Sequence, residues 1–233
     1  MIDAALLQRN AEGYWNGHTP FSAIVAFLGL YGAYLVGAGE LVLSNEASAN
    51  EPSVPGTKIN HQYSKSYAFE RDMNDYIGRR FGLPVRYFSL LRPFHELQIA
   101  KQFAALPQYH FAFKSCNVGS KQNVWCCKCA KCLFVYLMLA PFLPTERMFD
   151  IFGENLLRSP DLQEDLLALV GGTNQKPFEC VGTVKEARAA IELLCGNDVS
   201  ARRLLRAFNN EHCVPEEFLP AVERMYQYVS AVD

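Results

Sequence analysis

Five of the eight cysteines fall between positions 116 and 132, as Cys116, Cys126, Cys127, Cys129 and Cys132. Thiolates spaced Cys-x2-Cys-x2-Cys point into a common tetrahedral cavity when the chain turns tightly, and Cys116 supplies a fourth sulfur from just upstream. Cys116, Cys126, Cys129 and Cys132 are therefore the predicted ligands of one structural zinc ion, which leaves Cys127 spare. Lys114, Lys121, Lys128 and Lys131 crowd the same stretch, and nearby positive charge lowers a thiol pKa. Two other readings use the same residues: dithiol or persulfide chemistry at Cys-x-x-Cys, and buried inert thiols.

Three further stretches carry groups suited to a polar ligand. Ser44-Asn45-Glu46 closes a strand-like run, and an open parallel sheet places its ligand groups at such strand ends. The long loop that follows ends in Ile59-Asn60-His61-Gln62-Tyr63-Ser64-Lys65-Ser66, where Asn60, His61, Tyr63 and Lys65 could grip an anion. An ordinary polar surface loop is the plainer reading of the same residues. Cys180 sits just before a helix start, where amide donors and the helix dipole favour a thiolate, against the plainer role of a buried thiol. Gly171-Gly172 lacks the Gly-Lys-Ser/Thr ending of a phosphate loop and is weak as a motif.

The elements that would position these groups follow from periodicity and punctuation. Pro20, after Thr19 as N-cap, opens a helix in which Phe21, Ile24, Val25, Leu28, Tyr31 and Leu35 recur at helical spacing, read here as a buried helix. Gly37-Ala38-Gly39 turns it into a strand over 40–44. A helix over 66–81, a strand over 84–91 and a short helix over 94–104 come next. Tyr109-His110-Phe111-Ala112-Phe113 reads as a further strand delivering Cys116, and the apolar run 133–140 as a buried helix. Beyond Pro144 the pattern is helical, over 145–152, 160–170, 184–195, 200–208 and 215–232. The expectation is an α/β fold: a partial, open, mainly parallel sheet with flanking helices over 1–143, then a helical C-terminal region over 144–233.

Composition narrows the partners. A net charge of −2 and a pI near 6.2 leave no electrostatic footprint for nucleic acid. The residues between Thr19 and Gly39 carry no charge, but Pro20, Ser22, Tyr31, Tyr34 and the Gly37/Gly39 pair break the run, so no membrane span is expected. Clustered, lysine-flanked cysteines and a start without a basic leader place the protein in the cytoplasm.

At Asn-Gly-His-Thr-Pro-Phe-Ser (16–22), Leu-Ser-Asn-Glu-Ala-Ser-Ala-Asn (43–50), Asn-His-Gln-Tyr-Ser-Lys-Ser (60–66), the 126–132 thiol motif and Lys-Pro-Phe-Glu-Cys-Val-Gly-Thr (176–183), the chain resembles the bacterial MurL family. That resemblance implies an isomerase of peptidoglycan precursor synthesis, part of cell wall and cell shape biogenesis. It would invert the terminal L-glutamate of UDP-MurNAc-L-Ala-L-Glu with ATP and Mg2+, through an acyl adenylate. The family in turn resembles the adenine-nucleotide α-hydrolase, or ATP-pyrophosphatase, superfamily, some of whose members hold zinc with four cysteines of similar rhythm. Carried over, that rhythm matches Cys116, Cys126, Cys129 and Cys132.

Proton transfer at the glutamate α-carbon needs two groups, for which residue type and loop position suggest His18, His61 and Cys180. Ser44, Asn45, Glu46, Asn60, Tyr63, Lys65 and Lys176 are the expected substrate and nucleotide contacts. The superfamily's Ser-Gly-Gly-x-Asp-Ser phosphate loop does not occur in the sequence, so the chain reads as the C-terminal part of a longer family protein, with an N-terminal segment as its partner. Competing readings are another ATP pyrophosphatase or amidoligase, and a zinc-containing interaction module.

Overall fold

A computed structural model describes residues 5, 8, 9, 12, 20–52, 57–119, 122–173, 177 and 181–231. Helix α1, Phe21–Val36, follows Pro20 and stops at Gly37, whose left-handed φ of 67° a side chain would disfavour. Strand β1, Glu40–Leu43, then pairs in parallel with β2, Arg86–Ser89, in the register Glu40↔Arg86 to Leu43↔Ser89. The crossover between them contains α2, Tyr67–Tyr76, which Ser66 caps by accepting the Phe69 amide, and which runs on as a π turn over Ile77–Phe81. The expected α/β beginning is therefore present, as a two-stranded parallel sheet.

Helix α1 corrects one expectation, because only Ala26, Leu30 and Ala33 are buried on it while Leu28, Tyr31, Leu35 and Val36 stand 62% or more exposed. Its apolar residues surround the helix rather than forming one stripe, and β1 covers a single line of them. Gly29 lies on that line; a Cβ there would come within 2.9 Å of a Leu41 methyl. Among the described residues no helix is long and apolar enough to cross a membrane.

Helix α3, Glu96–Ala104, follows β2. The strand expected over 109–113 does not form. Pro107 opens a 3-10 turn over Pro107–Tyr109, and Phe113 and His110 pack on Phe103 rather than alternating across a sheet. Cys116 thus leaves a turn, not a strand end. Helix α4, Ala130–Leu139, is the buried helix expected from the apolar run. Around it pack α3, α5 (Thr145–Phe152), α6 (Gln163–Leu169) and α7 (Val184–Leu194). Their core includes Leu97, Leu133, Leu137, Met148, Leu169 and Ala190. Helices α8, Val199–Leu205, and α9, Leu219–Ser230, complete the helical C-terminal region, with Val222 and Val229 of α9 packed against Phe88 and Phe94.

Arg92, just past β2, is fully buried, and so is its partner Glu70 on α2. Its guanidinium donates to Glu70 Oε2 at 3.2 Å, to the Glu46 carbonyl at 2.7 Å and to the Lys65 carbonyl at 2.5 Å. The other Glu70 oxygen accepts the Cys213 amide at 3.2 Å. One cation therefore ties the β1 exit, the 60s loop and α2, and its carboxylate partner reaches the C-terminal segment. Arg92→Ala leaves Glu70 buried and uncompensated, and is expected to lower unfolding stability by about 3–5 kcal/mol in urea titrations. The double change Arg92→Met with Glu70→Leu should recover much of that loss.

Candidate functional site

Glu186 brings two helix starts together. Thr183 Oγ1 accepts the Glu186 amide at 3.1 Å, and Glu186 Oε2 accepts the Thr183 amide at 2.6 Å, a reciprocal capping box at the start of α7. The remaining oxygen, Oε1, accepts the Glu96 amide at the first turn of α3, at 2.8 Å. Two positive helix ends thus converge on one buried carboxylate. Gly182 makes the approach possible, since a Cβ there would fall 2.5 Å from the Phe134 ring and 2.7 Å from Glu186 Oε2.

Around this junction sits a group of recessed charges: Glu46 past the end of β1, Lys65, Glu96, Lys131 on the first turn of α4, and Glu186. Burial pushes the Glu96 carboxyl well above its usual range, and repulsion from Glu46 and Glu186 adds to it, while Lys131 and Lys65 pull the other way. Burial likewise raises Glu46; its own amide, Lys65 and Arg92 oppose that, and Glu186 reinforces it. Both side chains keep partial solvent contact. His95 Nδ1 lies 3.6 Å from Glu186 Oε1. A site of this composition can meet an anion with its lysines, and burial makes Glu96 hold a proton more tightly than an ordinary carboxyl.

The residues expected from sequence divide between this cleft and its supports. Glu46 and Lys65 are in it. Asn45 donates its amide to Ser89 Oγ at 3.0 Å, and Ser44 is exposed. Asn60 braces its own loop, donating to the Ala49 carbonyl at 2.8 Å and accepting the Gln62 amide at 2.7 Å. Tyr63 turns outward to donate to Asp72 at 2.5 Å. His61 is half-buried on the same loop. His18, Lys176 and Cys180 lie outside the described residues, as does the Thr19 N-cap. Glu96, His95, Arg92 and Glu186 were not singled out from sequence, and Lys131 only as a neighbour of the thiols. Only Glu186 carried a local signal, the Thr183-x-x-Glu186 capping-box spacing.

Beside the cleft, the sulfurs of Cys116, Cys126, Cys129 and Cys132 all lie within 4.8 Å of one another, a group that could hold a metal ion. Cys126 and Cys132 sulfurs are 3.7 Å apart and those of Cys129 and Cys132 3.5 Å. A tetrahedron with bonds of about 2.3 Å has edges of about 3.8 Å, the spacing of a four-thiolate zinc site. The loop is wound tightly to achieve this. A Cβ on Gly119 would strike the Val124 carbonyl at 2.1 Å, and Asn123 and Cys127 both adopt left-handed φ, 54° and 56°. Cys127 points elsewhere and donates to the Phe152 carbonyl at 3.1 Å.

The lysines are not the main influence on these thiols. Burial pushes Cys116 up, but the amides of Gly119 and Cys126 and the thiols of Cys126 and Cys132 outweigh it and bring Cys116 down to about 7. Burial raises Cys129 to about 11 and lifts Cys132 further. Lys114 instead bonds the Phe111 carbonyl at 2.7 Å and lies over the Trp125 ring, and Lys128 is exposed.

A parallel-sheet protein with an acidic, lysine-bearing charge cluster past the strand end and a four-cysteine group that could hold a metal is the class that fold and site define. The MurL N-terminal domain matches residues 1–90 and the MurL C-terminal domain residues 112–218. The chain belongs to the MurL family. A Xanthomonas oryzae pv. oryzae protein named UDP-N-acetyl-alpha-D-muramoyl-L-alanyl-L-glutamate epimerase is 41% identical over 214 residues, 86% of this chain and 48% of that protein. Proteins of the same name from Salinispora tropica and a Micromonospora species are 42% and 41% identical, over 83% and 84% of this chain and 44% and 45% of theirs. The chain thus spans about half the length of the curated relatives it matches. No solved structure matches it.

Two outcomes follow for this site. Cys132→Ser should abolish stoichiometric metal measured by elemental mass spectrometry, whereas Cys127→Ser should leave it unchanged. A carboxyl raised in the folded state binds its proton more tightly there than when unfolded, so it costs nothing below pH ~4 and destabilises increasingly as pH rises through the unfolded value. Glu96→Gln removes that cost: its melting temperature should match the parent's at pH 4 and exceed it at pH 7.

Proposed function

We propose that the chain forms part of an enzyme that inverts the terminal L-glutamate of UDP-MurNAc-L-Ala-L-Glu, with the recessed Glu46, Lys65, Glu96, Lys131 and Glu186 cleft as its reaction site. The observation that carries this is the combination of two lysines, suited to an anionic dipeptide end, with a carboxyl that burial holds well above its usual range, in a member of a family whose relatives bear that epimerase name. An ionised carboxylate makes the neighbouring α-proton a very weak acid. Magnesium ATP, when bound, would turn that carboxylate into an acyl adenylate with loss of pyrophosphate, which water later hydrolyses to AMP and the free carboxylate.

Lys65 would hold the activated carboxyl, and Lys131 would offset the charge that builds up when the α-proton leaves. Glu96 is placed to return a proton to that carbon. The opposite face requires a base, for which His61, His18 and Cys180 are the proposed groups, with Ser44, Asn45, Asn60, Tyr63 and Lys176 as further contacts. The residues fit the substrate side of this chemistry better than the nucleotide side, because the superfamily's phosphate loop is absent from the sequence. Zinc, held by Cys116, Cys126, Cys129 and Cys132, would be structural, since four sulfurs leave no open position. A cytoplasmic site suits both a nucleotide-linked substrate and reduced thiols.

The test incubates the protein with UDP-MurNAc-L-Ala-L-Glu, ATP and Mg2+, alone and with the portion of the Xanthomonas relative that it does not match, and measures glutamate chirality and AMP. Appearance of D-glutamate with AMP is expected, and Glu96→Gln should reduce the rate by roughly 10^2-fold or more. Absence of inversion in both mixtures overturns the reading; inversion without AMP overturns the adenylate.

A further inference from the structure

The two strands of the sheet are treated differently by the rest of the chain. The outer edge of β2 is closed: Asn74 on α2 donates to the Tyr87 carbonyl at 2.6 Å and accepts the Tyr87 amide at 2.8 Å, as a neighbouring strand would. On the face away from α1, Phe88 is fully buried, with the Phe218 ring at 5.2 Å. Among the described residues β1 has no such cover. The carbonyls of Gly39 and Leu43 accept amides from Arg86 and Leu90. Alternate residues of a parallel strand face alternate neighbours, so the peptide groups of Glu40 and Val42 face outward, and no third strand lies there among the described residues.

The side chains repeat the pattern. Val42 is 46% exposed, on the sheet face away from α1, although its register partner Phe88 is buried, and Leu28, Tyr31 and Leu35 are exposed on the side of α1 opposite its buried line of Ala26, Leu30 and Ala33. Phe27, Leu30, Tyr31, Tyr34, Phe81 and Leu83 line a groove of about 300 Å3 beside them. Parallel sheets normally have both faces covered, and a two-stranded sheet is marginal by itself. The relatives, of which this chain spans 48%, carry additional chain that is long enough to supply the missing cover.

We infer that the open edge of β1 and the outer face of α1 form a docking surface for the part of the MurL fold that this chain does not span, whose strand would continue the sheet from Val42. Recognition would be through main-chain hydrogen bonds along β1 and apolar burial against α1. Asn74 confines the extension to this side. The inference rests on family membership and on the exposed surfaces, not on the epimerase reaction.

The test mixes the full chain with the unmatched portion of the Xanthomonas oryzae relative and follows mass by analytical ultracentrifugation and amide exchange at residue resolution. A one-to-one complex is expected, with the Val42 amide passing from rapid to slow exchange, whereas the Leu41 and Leu43 amides, already directed at β2, change little. Val42→Pro removes the outward donor without touching the β2 ladder, and Leu28→Glu charges the helix face; each should weaken the complex about tenfold or more. Circular dichroism and melting temperature of both variants should stay near the parent's. Absence of a complex, protection confined to other regions, or self-association of the chain that slows Val42 exchange by itself would each overturn the inference.

Discussion

The buried Arg92–Glu70 pair is the interaction on which the arrangement depends. A guanidinium with no solvent contact must find a partner for nearly every donor, and Arg92 finds them in a carboxylate and two carbonyls from separate loops. Those carbonyls belong to Glu46 and Lys65, two residues whose side-chain charges act on each other and on Glu96. Desolvating the pair is expensive, and a well-packed apolar substitute would serve stability as well. What an apolar pair cannot do is hold two peptide groups at fixed distance from each other. The return for the buried charge is therefore positional.

Glu186 performs the matching task on the other wall. Satisfied by two backbone amides, it fixes the starts of α3 and α7 against each other, and Glu96 stays near enough to Glu46 to feel its charge. Burial and mutual repulsion both raise the Glu96 carboxyl, so it holds its proton more tightly in the folded chain than in the unfolded one. That costs folding energy once the pH passes the unfolded value.

How much of this was legible depended on whether the determining contacts were local. The C-terminal helices were readable because Pro144, Pro160, Thr183 and Pro215 mark their starts, and the four-thiolate group because its spacing is itself the geometry. The apolar run after Cys132 was long enough to force burial of α4. By contrast, Tyr109–Phe113 has the composition of a strand but no strand beside it to pair with, and Pro107 with the Phe103 ring decides its path. Helix α1 showed a helical pattern without revealing that only one line of it would be covered. Arg92, 22 residues from Glu70 and 46 from Glu46 in sequence, and Glu186, 90 residues from Glu96, become functional neighbours only once the chain is folded.

The thiolate cluster and the cleft then cease to be independent features. Cys129 is the N-cap of α4 and Cys132 lies in its first turn, so a metal held there would fix the direction in which that turn begins. Lys131 lies between them in sequence and opposes the repulsion on Glu96. An unclamped helix start frays within its first turn, and fraying here would move that lysine. A metal held by the four cysteines would therefore also hold Lys131 beside Glu96.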